Sequence, residues 1–326
     1  MTQTSLTIWT NAKFPDEAAR MLAENIAPHR LIYAAVTNPL NLASSQVDAN
    51  LEQADIAFGQ PNAEQAMTLD KLKWIHLTTA GYTAYDRDDF KAALRARGAR
   101  LTNSSAVYDE PCAQHALAMM MAFARRLPES LQTQLGDRAW PWAQRRRESF
   151  LLNGQTALIF GFGAIAIRLC ELLAPFEMNL IGVRRSAKGD EPIKIIPDRE
   201  VAEFLPQADH VINILPGNDS TARYFDADKF QRMKPGALFY NIGRGSTVDQ
   251  EALLAALGSG RLAAAYLDVM TPEPLPPDHP LWSAANCYIT PHSAGGQNGE
   301  MRDLVMRFVE NLRRFTGGEE LRNRIV

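Results

Sequence analysis

Apolar positions along the chain fall into short runs separated by amphipathic stretches. Leu6-Thr7-Ile8-Trp9 is followed by the helix-patterned stretch from Glu17 to Ile26 and then by Leu31-Ile32-Tyr33-Ala34-Ala35-Val36. Asp55-Ile56-Ala57-Phe58-Gly59 and Trp74-Ile75-His76-Leu77-Thr78-Thr79 continue the series. Such alternation predicts parallel strands joined by helices, in a sheet covered on both faces. From Glu110 to Arg126 the pattern becomes one long helix of Ala, Leu and Met, with Gln114 and His115 its polar members before the arginines. A helix apolar on nearly every face is buried, between domains or between subunits, and a part in dimer packing is expected. Trp140-Pro141-Trp142 and Arg145-Arg146-Arg147 read as an irregular segment. At Thr156 a second series opens, with strands at 156–160, 179–183, 210–214, 237–241, 264–268 and 287–290. From Gly299 to Phe315 helical spacing returns, in a tail expected to rejoin the first domain. The fold class is therefore α/β, with two doubly wound parallel-sheet domains.

Composition narrows the partners. The 326 residues are about twice the usual domain length. With 34 basic against 37 acidic residues the net charge is -3, which gives no bulk attraction to nucleic acid or membrane, so any phosphate binding must be local. The N-terminus lacks the charged segment and apolar core of a signal peptide and no apolar run is long enough to span a bilayer, so a soluble, cytoplasmic protein is expected. Cys112, Cys170 and Cys287 have no CxxC spacing and read as small buried apolar residues. His29, His76, His115, His210 and His279 show no metal-ligand spacing, and no metal is expected.

The chemistry begins at Gly161-Phe162-Gly163-Ala164-Ile165-Ala166, between a predicted strand and a predicted helix. The first glycine permits a tight turn, the second lets backbone approach a pyrophosphate, and Ala166 is small enough for helix and strand to pack closely. The helix N-terminus then offers free N–H groups and partial positive charge, so the turn predicts a bound dinucleotide. An acid at the end of the second strand would bind the ribose of NAD; here stand Arg184, Arg185 and Ser186, which suit a 2′-phosphate. NADP(H) is the expected cofactor, with NAD(H) the alternative if the two arginines are solvated surface charges. Leu215, Pro216, Ile242 and Gly243, at the ends of later strands, complete the expected cofactor contacts.

Three further segments concentrate reactive residues at strand ends: Asn241-Ile242-Gly243-Arg244-Gly245-Ser246-Thr247-Val248-Asp249, Asp268-Val269-Met270-Thr271-Pro272-Glu273-Pro274, and Thr290-Pro291-His292-Ser293-Ala294-Gly295. Ligands of doubly wound sheets bind at those ends, where an arginine, an acid and a histidine would converge. In these segments the sequence resembles the D-isomer-specific 2-hydroxyacid dehydrogenase family over essentially its whole length, and within it the NADP-dependent glyoxylate and hydroxypyruvate reductases. The resemblance implies that Arg244, Glu273 and His292 are the catalytic set, that Asp268 meets the nicotinamide carboxamide, and that Ala80 and Gly81, within Thr79-Ala80-Gly81-Tyr82, bind the substrate carboxylate beside Arg244. The residue types suit reduction of a 2-keto acid. His292 can protonate the developing alkoxide, Glu273 can fix its tautomer, and Arg244 can hold the carboxylate and polarise the carbonyl.

The resemblance further implies a substrate-binding domain of residues 1–102 with 292–326 and a dinucleotide-binding domain of residues 103–291, crossing near Asn103 and His292, and a homodimer formed through the cofactor domain. Family members often carry an acid just before the histidine corresponding to His115; here Gln114 stands there, which puts a charge-based interaction on that helix in doubt. Two other readings stay open. One is a dinucleotide-sensing corepressor-like binding protein, although the chain leaves little room for partner-binding extensions; the other is a same-fold dehydrogenase of a phosphorylated or inorganic acid. The absence of an extension after Val326 argues against the long, feedback-regulated phosphoglycerate dehydrogenases. Which 2-keto acid is taken depends on loop side chains, for which Tyr82, Tyr85, Trp142, Trp282 and Met301 are candidates.

Overall fold

The computed structural model describes residues 5–38, 46–185, 187, 189 and 191–326. The chain divides into two compact units, a split one of Met1–Tyr108 with Gly296–Val326 and a central one of Asp109–Gly295. The units meet in sequence at Tyr108–Asp109 and Gly295–Gly296, for a local reason in each case. The first turn of the helix Ser105–Ala124 belongs to the split unit: Val107 sits in its core, and the Tyr108 hydroxyl bonds Thr78 O (2.8 Å) and Glu300 Oε1 (2.9 Å). The segment after His292 is held to the central unit by Asp268, which accepts from Ser293 N and Ala294 N.

In the split unit β1 (Thr7–Ala12), β2 (Arg30–Asn38), β3 (Ile56–Phe58), β4 (Trp74–His76) and β5 (Arg100–Thr102) form one parallel sheet in the order β2-β1-β3-β4-β5. Successive side chains point to opposite faces, so the two faces carry separate cores. Ile8, Ile56, Phe58 and Trp74 pack with the helices Asp16–Asn25 and Glu300–Gly317, while Trp9, Ala57, Ile75 and Leu77 pack with Phe90 and Leu94. On the first face Phe308 stacks on Phe58 at 4.1 Å and on Trp74 at 5.3 Å. The open edge of β5 is covered by the chain end: Ile325 N donates to Leu101 O and Thr102 bridges Arg324 in antiparallel sense. That covering removes an edge available for mispairing.

The central unit holds β6 (Thr156–Phe160), β7 (Asn179–Val183), β8 (Lys194–Ile196), β9 (His210–Asn213), β10 (Ala237–Asn241), β11 (Leu262–Leu267) and β12 (Cys287–Ile289). All are parallel, in the order β12-β11-β10-β9-β6-β7-β8, so the order reverses between β6 and β9. One face buries Leu158, Phe160, Val211, Phe239 and Leu267 in a single core. On the other lie Tyr240 and Tyr266, and the helix Ser105–Ala124 brings Phe123 to the ring of Tyr240 and His115 to that of Tyr266. Its apolar side thus covers a sheet of its own chain. Two elements depart from expectation. The helix starts before Glu110 and contains Pro111, a residue that in sequence reads as a helix start. The segment read as irregular contains the helix Trp142–Glu148, which carries an Arg145–Glu148 ion pair at 3.1 Å, and a further helix, Leu127–Leu135, precedes it.

The three cysteines form no disulfide, Cys112 and Cys170 are buried, and burial pushes the Cys170 and Cys287 thiols up to about 12. Among the described residues no helix is long and apolar enough to cross a membrane.

Candidate functional site

At the carboxyl end of β6 the chain turns at Gly161, whose φ of 87° favours a residue without Cβ. Close approach requires glycine there as well, because a Cβ would stand 2.6 Å from Ile214 O on the chain leaving the neighbouring β9. Phe162 turns inward and Gly163 outward, and no side chain caps the helix Ala164–Leu173 that follows. Ala164 and Ile165 lie in its first turn, whose N–H groups have no partner within the helix. Ala166 is fully buried. The turn therefore stands at the point where strand order reverses and fits the pyrophosphate of a dinucleotide.

Beyond β7, Arg184 pairs with the nearly buried carboxylate of Glu191 at 3.4 Å, and the exposed Arg185 donates to Ser220 Oγ. Ser186 lies outside the described residues. The loops after β9 and β10 are shaped by a buried polar network invisible to motif reading. Asn213 Nδ2 donates to Asn241 Oδ1 (2.9 Å) and Thr247 Oγ1 (2.7 Å), Leu215 N donates to Asn213 Oδ1 (3.1 Å), and Gly243 N to Asn241 Oδ1 (3.2 Å). These bonds set the backbone around Leu215-Pro216 and Ile242-Gly243, and a fully satisfied buried network of this kind rigidifies what it joins. The available signal was an asparagine at the same register position of adjacent strands, Asn213 opposite Asn241.

Arg244 follows β10, half-buried, its Nη1 donating to Gly243 O at 2.6 Å. Burial lowers its pKa and the charge of Glu273 opposes that effect. The next residue, Gly245, lets this loop press on the Glu273 loop, since a Cβ would stand 2.0 Å from the Met270 carbonyl. Glu273 Oε1 accepts from Met270 N (2.9 Å) and Oε2 meets His292 Nδ1 (2.7 Å). Burial works to raise the Glu273 carboxyl, but the hydrogen bonds from His292 and Met270 N, with the charges of His292 and Arg244, hold it below its ordinary value. An ionised carboxylate only accepts, so Nδ1 carries a proton and Nε2 is left for exchange. His292 itself has a left-handed φ of 51°, fixed by its N–H to Asp268 O (2.9 Å) and Thr290 O (3.0 Å). Asp268 Oδ1 accepts from Thr290 Oγ1 (2.6 Å) and Ser293 N (2.8 Å), and Ala294 N reaches both carboxylate oxygens.

The helix carrying His115 does hold a charged interaction, contrary to the doubt raised by Gln114. Glu110, one turn earlier, accepts from Gln114 and pairs with Arg168 of the helix Ala164–Leu173.

In the split unit the loop Thr79–Tyr82 is tied down through its oxygens. Gln60 Nε2 donates to Thr79 Oγ1 (2.8 Å), Thr79 Oγ1 to Gly81 O (2.6 Å) and Asn103 Nδ2 to Ala80 O (2.7 Å). Among the described residues no protein acceptor meets the N–H groups of Ala80 and Gly81, which suits them to an anion. Tyr85 does not qualify as a pocket residue. It is 3% exposed, with its hydroxyl on Pro61 O and its ring on Phe90.

Residues 117–294 match the model of the NAD-binding domain of the D-isomer-specific 2-hydroxyacid dehydrogenases. The chain is 31% identical over 307 residues to glyoxylate/hydroxypyruvate reductase B of Shigella boydii serotype 4 (strain Sb227), covering 91% of each protein. A solved structure of a D-isomer-specific 2-hydroxyacid dehydrogenase family protein from Aeromonas salmonicida subsp. salmonicida A449 is 28% identical, with a TM-score of 0.74 and 99% of both chains covered. At the level of fold the chain also resembles the Xanthobacter autotrophicus Py2 enzyme solved with NADPH and MES, with 24% identity, a TM-score of 0.82, and 99% of this chain and 98% of that one covered. The chain belongs to the D-isomer-specific 2-hydroxyacid dehydrogenase family and is an NAD(P)-dependent oxidoreductase.

Proposed function

We propose that the chain reduces small 2-keto acids to D-2-hydroxy acids with NADPH, with glyoxylate and hydroxypyruvate the foremost substrates. The observation that carries this reading is the 2.7 Å pair of Glu273 and His292, which leaves Nε2 of a histidine free to deliver a proton. When bound, the reduced nicotinamide supplies the hydride for the carbonyl carbon. His292 gives the carbonyl oxygen its proton, Glu273 fixes the tautomer, and Arg244 holds the carboxylate and polarises the carbonyl. Ala80 and Gly81 bind the carboxylate through their N–H groups. Gly161, Phe162, Gly163, Ala164, Ile165, Leu215, Pro216, Ile242 and Gly243 hold the dinucleotide, and Asp268 receives its carboxamide. In this reading the split unit is the substrate-binding domain and the central unit the dinucleotide-binding domain.

Arg184 and Arg185 support NADPH over NADH, because guanidinium groups suit a 2′-phosphate and they, not an acid, directly follow the last residue of β7, Val183. The name of the Shigella relative supports the substrates. The test is oxidation of NADPH and, in parallel, NADH against glyoxylate, hydroxypyruvate, pyruvate and phenylpyruvate. Turnover of the first two with higher kcat/KM for NADPH is expected. Inactivity with every keto acid overturns the reaction, and a clear NADH preference overturns the cofactor choice.

A homodimer formed through the central unit belongs to the same reading. Leu131, Leu135, Trp140 and Trp142 are clustered in sequence and exposed, Leu135 and Trp140 at 86% and 87%. Light scattering is expected to give twice the 36.2 kDa chain mass, and Leu135→Glu with Trp140→Glu to give the monomer. A monomeric unaltered protein sinks the proposal.

A further inference from the structure

Three polar side chains outside the Arg244–Glu273–His292 set form a continuous line on the second face of the central sheet. The Tyr266 ring is fully buried on β11, where a hydroxyl without partners would be costly. That hydroxyl meets both Thr290 Oγ1 after β12 and His115 Nε2 on the helix Ser105–Ala124, and the His115 and Tyr266 rings stack at 5.5 Å. Thr290 Oγ1 in turn donates to Asp268 Oδ1 at 2.6 Å.

Counting protons gives this line one direction. The Asp268 carboxylate accepts from Thr290, Ser293 N and Ala294 N, so the single Thr290 hydroxyl proton goes to Asp268. Thr290 then accepts from the Tyr266 hydroxyl, which burial keeps well above its ordinary pKa and hence protonated. With its own proton spent on Thr290, Tyr266 can only accept from His115, whose Nε2 must carry hydrogen. The line ends on the carboxylate that receives Ser293 N and Ala294 N, while the backbone carbonyl of the same residue receives His292 N. Asp268 is thus the common anchor of the turn that presents His292 in its left-handed conformation.

We propose that His115 and Tyr266 are positioning residues. Through Thr290 they orient the Asp268 carboxylate, and through it the Thr290–Ala294 turn that aims His292. The inference rests on the reductase reading for its kinetic consequence, but the line of hydrogen bonds can be measured without turnover.

Tyr266→Phe removes only the terminal oxygen, Thr290→Val breaks the line at its centre, and Thr290→Ser restores a hydroxyl. In the unaltered protein, nitrogen-15 NMR of the imidazoles is expected to show His115 protonated at Nε2, and amide hydrogen exchange to show protection at Ser293 and Ala294. In Tyr266→Phe and Thr290→Val that protection is expected to fall about tenfold or more, with kcat for glyoxylate down by a similar factor and KM changed less than threefold. Thr290→Ser should recover both. A His115 that carries its proton on Nδ1 alone, or Ser293 and Ala294 protection unchanged in Tyr266→Phe, overturns the positioning line whether or not the protein reduces a keto acid. Loss of protection together with unaltered kcat in an active enzyme leaves only a structural bond and equally overturns it. Inactivity of the unaltered protein with every keto acid, beside the NMR and exchange results just described, sinks the reductase reading and leaves the line intact.

Discussion

His292 combines two constraints, a left-handed backbone and a side chain paired to a carboxylate at 2.7 Å. A non-glycine residue at positive φ costs free energy that the surroundings must supply, here through Asp268 and Thr290. Strain of this kind is commonly kept where a side chain must be aimed. His292→Ala is therefore expected to lower kcat by roughly two to four orders of magnitude, the range spanned by positioned acid–base groups, with NADPH still binding in a fluorescence titration. Near-normal turnover in that variant would remove His292 from the chemistry. The residue types of the site were legible in the sequence, because Arg244, Glu273 and His292 each follow an apolar strand in a distinctive segment. Their supports were not. Asn213, Thr247, Tyr266 and Thr290 act through contacts between strands distant in the chain, and no local pattern marks a side chain whose partner lies dozens of residues away.

At the scale of elements, the turn after β6 shows why its motif is legible in the sequence. The change from strand period to helix period, with Gly161 between, leaves the chain few conformations. Gly161→Ala would place a methyl 2.6 Å from Ile214 O at a φ that disfavours it. Destabilisation by about 1–3 kcal/mol is expected, together with loss of most of the rise in thermal midpoint that NADPH gives the unaltered protein. A variant that melts like the unaltered protein, with and without NADPH, would contradict the close approach. Short elements without an apolar run escape such reading. Strands β5, Arg100-Leu101-Thr102, and β8, Lys194-Ile195-Ile196, are three residues each and open on a charged residue, whereas the equally short β3 and β4 open on Ile56 and Trp74. The helix Trp142–Glu148 hides behind Pro141 and a run of arginines, since it buries no residue and carries ion and hydrogen-bond pairs in place of an apolar stripe.

At the scale of the whole molecule, each unit buries a histidine that the candidate chemistry does not use. His76 lies among Trp74, Phe58 and Phe308, bonded to Thr102 and Ser104, and burial, with the charge of Arg307, pushes its pKa down to about 3. His210 is bonded to Tyr240 and Gln155 and is lowered to about 4 by burial, against the charge of Asp209. Both are neutral in the fold and free to charge when unfolded, so their contribution is whole above pH 6.5 and is lost as pH falls toward 4 and 3. The slope is at most about 1.4 kcal/mol per pH unit for each histidine. Urea midpoints are expected to fall steeply between pH 6 and 4, and His76→Gln to flatten the loss in the split unit; equal slopes with and without His76 would refute its part. The split unit also differs from the central one in when it can be finished. Its core takes Phe308 and Leu312 from the far end of the chain. During synthesis the contiguous central unit can close first, while the strands of the split unit stay exposed until the helix Glu300–Gly317 has left the ribosome. The strands of the split unit that are made before the central one are therefore secured after it, and it is there that a chaperone would have most to protect.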